Sequence, residues 1–110
     1  MADSEFPPVE HAKVEDGEAR IHVGTVGEHR VLASVIRGFA HESGFTPTSH
    51  IAWPPDMSGP AAGARIATLG EKGILVRFGS RRKGAVHLRG AVLEAVGAGL
   101  PVVTPFGVIV

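Results

Sequence analysis

Between residues 26 and 43 the chain places Val31, Leu32, Val35, Ile36 and Phe39 on one face at helical spacing, with Arg30, Ser34, Arg37 and His41 on the opposite face. Thr25 and Glu28 precede the apolar stripe as a capping-box pair: the hydroxyl accepts the Glu28 amide, and the carboxylate reaches back toward the helix entrance. Gly44 supplies a left-handed stop, Phe45 can fold back onto the last apolar turn, and Pro47 blocks continuation. The pattern predicts a helix over 26–43.

Around this helix the apolar period shortens toward two. Ala19, Ile21 and Val23 alternate with Arg20 and His22 beyond Asp16-Gly17, a strong tight-turn pair, which predicts a hairpin over 9–26. Ile66, Leu69, Ile74, Val76 and Phe78 flank Gly70-Glu71-Lys72-Gly73 and predict a second hairpin over 65–80. Ala85, Leu88, Val92 and Val96 share a helical face, so a second helix is expected over 81–98, ended by Gly99 and Pro101. The segment 102–110 reads as an apolar strand interrupted by Pro105. Between the first helix and the second hairpin, 46–63 holds four prolines around Trp53 and shows no clear periodicity, as a long functional loop would.

The resulting order is ββαββαβ. It predicts an α+β fold: a two-layer sandwich with a mainly antiparallel sheet of about four to six strands and two helices on one face. From Ala19 onward the order is similar in topology to the ferredoxin-like fold, which hosts many unrelated functions. A flexible tail is expected over 1–8 and a single domain over 9–110.

Composition narrows the chemistry. With 110 residues and no cysteine, the chain has no thiolate nucleophile, Cys-based zinc site or disulfide. No apolar run approaches the roughly 18–20 residues of a membrane span, and the acidic start does not read as a signal peptide, so a cytoplasmic protein is expected. The six histidines show neither HxH nor HExxH spacing, and no GxSxG elbow, GxxxxGK[ST] loop or GxGxxG turn is present. The sequence therefore assigns no catalytic residue, no metal site and no cofactor.

Charge is balanced overall but not locally. Residues 1–50 carry four cations and eight carboxylates, whereas 51–110 carry seven cations and three carboxylates. The sharpest feature is Ser80-Arg81-Arg82-Lys83 at the expected start of the second helix, where cations oppose the helix dipole and would suit an anion instead. Arg30 and Arg37 extend this basic surface if the helices align, and His50 and Trp53 are the loop residues expected to touch a partner or ligand.

The second predicted helix is apolar on two sides, with Val86, Gly90, Leu93 and Gly97 as the additional stripe, and 106–110 is an apolar strand without charges. These features make a non-catalytic binding or assembly module, homo-oligomeric and acting through a protein partner or ligand, the leading expectation. The alternative is a binder of an anionic ligand, nucleotide or nucleic acid through Ser80–Lys83; the pI near 7.0 weighs against nucleic acid. A further alternative is a small enzyme with a pocket under 46–63 and His22 or His50 as acid–base group.

Overall fold

The computed structural model describes residues 12–79 and 83–109. The chain forms β1 (Ala12–Glu15), β2 (Glu18–Ile21), α1 (Val26–Arg37), β3 (Thr46–Pro47), a 3-10 turn (Thr48–His50), α2 (Gly59–Glu71), β4 (Leu75–Phe78), β5 (Ala85–Leu88), α3 (Gly90–Gly97), β6 (Val102–Thr104) and β7 (Gly107–Ile109). The fold is α+β, as expected. Among the described residues, however, three helices and seven strands are arranged in two sheets, instead of two helices over a single sheet. One sheet runs β1-β2-β6-β7 and the other β3-β5-β4, so the chain from Ala19 does not follow the ferredoxin-like order.

The first hairpin forms at the expected turn: Asp16 and Gly17 both take positive φ (55° and 77°), the conformation that matches the strand twist. The capping box also forms. Thr25 Oγ1 accepts the Glu28 amide at 3.1 Å, while the Glu28 carboxylate accepts the Gly24 amide at 3.1 Å. Val31, Leu32 and Val35 are buried along the predicted face. The helix is shorter than its pattern: it ends at Arg37, and Gly38 follows as its cap, where only the lack of a side chain lets the His50 carbonyl approach, since an added Cβ would lie 2.7 Å from its oxygen. The chain then turns back through an Ala40–Phe45 bridge, and Gly44 (φ 82°) closes the turn within it.

The second expected hairpin is half helix. Ser58 caps α2 by accepting the Ala61 amide at 3.2 Å, Pro60 occupies the first turn, and Ala62, Ile66 and Leu69 bury one face against α1 and β4. The loop expected over 46–63 is therefore ordered. Ile51 and Pro54 are buried, and Trp53 and Met57 pack against the core.

The second expected helix is instead a strand followed by a short helix. Val86 and Leu88 point inward with period two, Arg89 separates β5 from α3, and Gly90, the first residue of α3, takes φ 55°. The last segment forms a hairpin, β6 to β7, with β6 parallel to β2. One apolar core joins the layers through Ile21, Leu32, Leu69, Leu75, Leu88 and Ile109, all nearly inaccessible.

A buried ion pair links the two longer helices. Lys72, just after α2, donates to Glu28 Oε1 at 2.9 Å, with side-chain exposures of 20% and 7%. Burial alone would raise the Glu28 carboxyl. The Lys72, Gly24 and Thr25 contacts outweigh it and hold the group below its usual range. Glu28→Gln and Lys72→Met are each expected to lower stability by about 1–2 kcal/mol. The double variant should lose less than the sum. Urea denaturation of all four forms measures this coupling, and strict additivity would refute it.

Candidate functional site

The β4–β5 hairpin has two chemically distinct faces. Its register pairs Leu75 with Leu88, Val76 with His87, Arg77 with Val86 and Phe78 with Ala85. Side chains alternate along each strand, so Leu75, Val86 and Leu88 enter the core, with Thr46 of β3 beside Val86. The outer face carries Val76, His87 and Phe78. Because Thr46 pairs with Val86, the preceding Phe45 lies level with His87.

Three rings result in a row. Phe45 stacks on His87 with centroids 5.2 Å apart and planes 9° from parallel. Phe78 stands edge-on to the same imidazole at 4.8 Å and 76°, a favourable aromatic geometry. Phe78 is nevertheless 53% exposed, among the larger exposed apolar residues of the described chain. No local motif announces this row, because Phe45, Phe78 and His87 come from three strands or their margins and only the sheet register assembles them.

At its end the hairpin closes tightly. Gly79 has φ 78°, and a Cβ there would lie 2.9 Å from Gly84 Cα, so the glycines allow the two strand ends to cross. The link between them contains Ser80-Arg81-Arg82-Lys83. Ser80, Arg81 and Arg82 lie outside the described residues, and Lys83 is exposed. The described residues on either side are the strands β4 and β5, so the helix expected to run on from this position is replaced by a strand over Ala85–Leu88. From Lys72 to Leu93 the sequence carries Lys72, Arg77, Arg81, Arg82, Lys83 and Arg89 and no carboxylate. Arg77 and Arg89 are exposed, whereas Lys72 is held by Glu28.

The other expected contact residues fall elsewhere. Arg30 forms a bidentate pair with Asp56, at 2.6 and 3.2 Å, fastening α1 to the segment before α2. The Arg30 hydrogen bond holds the Asp56 carboxyl below its usual range. Arg37 is exposed at the end of α1, and His50 is exposed at the end of the 3-10 turn. Trp53 is half-buried as core packing, so its structural role is to anchor the segment leading into α2. Among the described residues, no group of three or more His, Asp or Glu could hold a metal, and no helix is long and apolar enough to cross a membrane.

A second exposed apolar area surrounds the β6–β7 turn, with Phe106 45% and Val108 59% exposed. His29 on α1 faces it: Nδ1 lies 2.6 Å from Thr104 Oγ1, and the ring centroid is 6.4 Å from that of Phe106. The Thr104 hydroxyl oxygen also accepts the Phe106 amide at 3.0 Å, so it fixes both the turn and the imidazole.

No protein-family model matches the chain, and no curated protein or solved structure matches it. The function is therefore argued from these sites alone.

Burial, then the positive field of Arg37, lowers the His29 pKa. An unfolded imidazole titrates near about 6.5 and binds protons more readily than the folded one, so acidification favours unfolding. Stability should be constant above that pH, fall below it, and level off once folded His29 is also protonated. His29→Gln should remove this step while leaving the Glu28-linked loss at lower pH. An unchanged stability–pH curve in the variant would show that His29 does not carry the step.

Proposed function

We propose that this protein binds nucleic acid through its phosphate backbone, using the β4–β5 hairpin and the adjoining α2. The observation that carries the reading is the sequence from Gly73 to Leu93, which holds Arg77, Arg81, Arg82, Lys83 and Arg89 and no carboxylate, in a chain of zero net charge. A polyanion is the partner that such a local excess of positive charge suits best.

The architecture agrees with this reading. Helix α1, the short strand β3, the 3-10 turn, α2 and the β4–β5 hairpin follow one another, and β3 completes the hairpin's sheet. The exposed positions of α2 are Gly59, Pro60, Ala64, Ala67, Gly70 and Glu71. Except for the acidic Glu71, none reaches the edge of a base, so recognition is by backbone charge and shape and not by major-groove sequence readout. A nucleic-acid ligand also agrees with a cytoplasmic location.

Affinity for a short labelled oligonucleotide should fall steeply as salt rises from about 50 to 200 mM. Replacing Arg81, Arg82 and Lys83 by Ala should reduce the slope of log affinity against log salt by about 2 to 3. Undetectable binding at low salt, or the same slope in the triple variant, would overturn the reading.

Self-association is a second reading, favoured by Phe106 and Val108 beside the edge strand β7. It makes the protein a homo-oligomeric assembly module whose sheet continues across subunits. Sedimentation velocity should then show a multimer that Val108→Glu converts to monomer. A monomer at high concentration would exclude it.

A further inference from the structure

We infer that the open face of the β1-β2-β6-β7 sheet docks against the same face of a second copy of this chain, the two sheets packing face to face about a two-fold axis. The inference goes beyond the readings above, because it concerns neither the β4–β5 hairpin nor pairing along the β7 edge.

Strand register sets out the face. It aligns Lys13, Arg20, Val103 and Val108 in one row across the four strands. Side chains alternate along each strand, so Ala19, Ile21, Val102 and Ile109 point the other way, into the core with Val92, Ala95 and Val96 of α3. Glu15 and Glu18, paired directly, form the neighbouring row on β1 and β2. Lys13, Glu15, Arg20 and Val108 are exposed, and Glu18 and Val103 are half-buried. The face is thus divided twice. Charges on β1 and β2 adjoin valines on β6 and β7, and a cationic row adjoins an anionic one.

This division runs against what the hairpin alone prefers. Like charges directly opposite each other across an antiparallel pair are unfavourable. Both charged pairs here are of that kind, Lys13 with Arg20 and Glu15 with Glu18. Exchanging Glu18 and Arg20 would give two pairs of opposite charge at the same composition. The ion pairs Lys13–Glu15 at 3.5 Å and Arg20–Glu18 at 3.1 Å offset the repulsion, but pairs this open to solvent contribute little.

A second copy resolves the conflict. A two-fold axis running across the strands between the two rows lays each strand over its own counterpart, in the opposite direction. The Lys13–Arg20 row then faces the Glu15–Glu18 row of the second copy, and the valine half faces the valine half. One operator satisfies both divisions of the surface. A polyanion would meet the carboxylate row, and a wholly apolar partner would meet unpaired charges. Four strands about 4.8 Å apart make a patch roughly 15–20 Å across, so the association is weak.

Sedimentation equilibrium at about 1 mM protein should show a monomer–dimer equilibrium. Arg20→Glu and Glu18→Arg each set like charges face to face across the axis and should weaken dimerisation roughly tenfold or more. Mixed together, the two variants should form a heterodimer, since each then opposes its reversed charge to the other's. The chain carrying both substitutions has the wild-type net charge and should dimerise again. Circular dichroism checks that every variant keeps the fold. A wild-type monomer at that concentration would overturn the inference, as would a mixture of the two variants that stays monomeric. A dimer unchanged by either charge reversal but lost in Val108→Glu would also overturn it, while leaving association through the β7 edge standing.

Discussion

The Glu28 carboxylate joins three parts of the chain that would otherwise be independent. It accepts the Gly24 amide after β2 and the Thr25 hydroxyl at the entrance to α1, and it receives the Lys72 ammonium from the end of α2. A carboxylate this deeply buried is tolerable only when its oxygens are satisfied and its charge is paired. Here the pairing sets the relative position of α1 and α2. Lys72 and Gly73 lead directly into Ile74 and β4, so fixing Lys72 also fixes where the hairpin leaves the helix pair. The contact consumes one cation of the basic stretch, and the solvent-facing charge of the hairpin accordingly starts at Arg77.

From that anchor, strand alternation divides the hairpin into a core face and an outer face. Leu75, Val86 and Leu88 tie it to the interior, whereas Val76, His87 and Phe78 are left on the opposite side. The two glycines at the strand ends permit a close approach, and between them the sequence carries three consecutive cations. The same short unit thus combines a rigid support, a fixed aromatic surface and local positive charge. Each property has a separate physical origin.

The features legible in the sequence were those set by neighbouring residues. Asp16-Gly17 specifies its turn, Thr25 and Glu28 specify their cap, and the 31/32/35 stripe specifies the buried face of α1. Helix α2 escaped because Gly59, Pro60, Gly63 and Gly70 resemble a loop, although Ala62, Ile66 and Leu69 have helical spacing. Packing against α1 and β4 outweighs its weak intrinsic propensity. The strand β5 was hidden for a different reason: Ala85, Leu88, Val92 and Val96 happen to have helical spacing, while the backbone changes state at Gly90. The basic link was visible as a local charge cluster, but its setting as a hairpin connection was not. The ring row depends on strand register between distant segments, and no local pattern contains that information.

The most direct measurement is a nuclear magnetic resonance titration of the isotope-labelled protein with a short thymidine oligomer. Binding at the hairpin predicts amide shifts concentrated in 76–89 and along α2, with side-chain changes at Phe78 and His87 and little change near Phe106 and Val108. Shifts confined to the β6–β7 turn, or no shifts at low salt, would contradict the account.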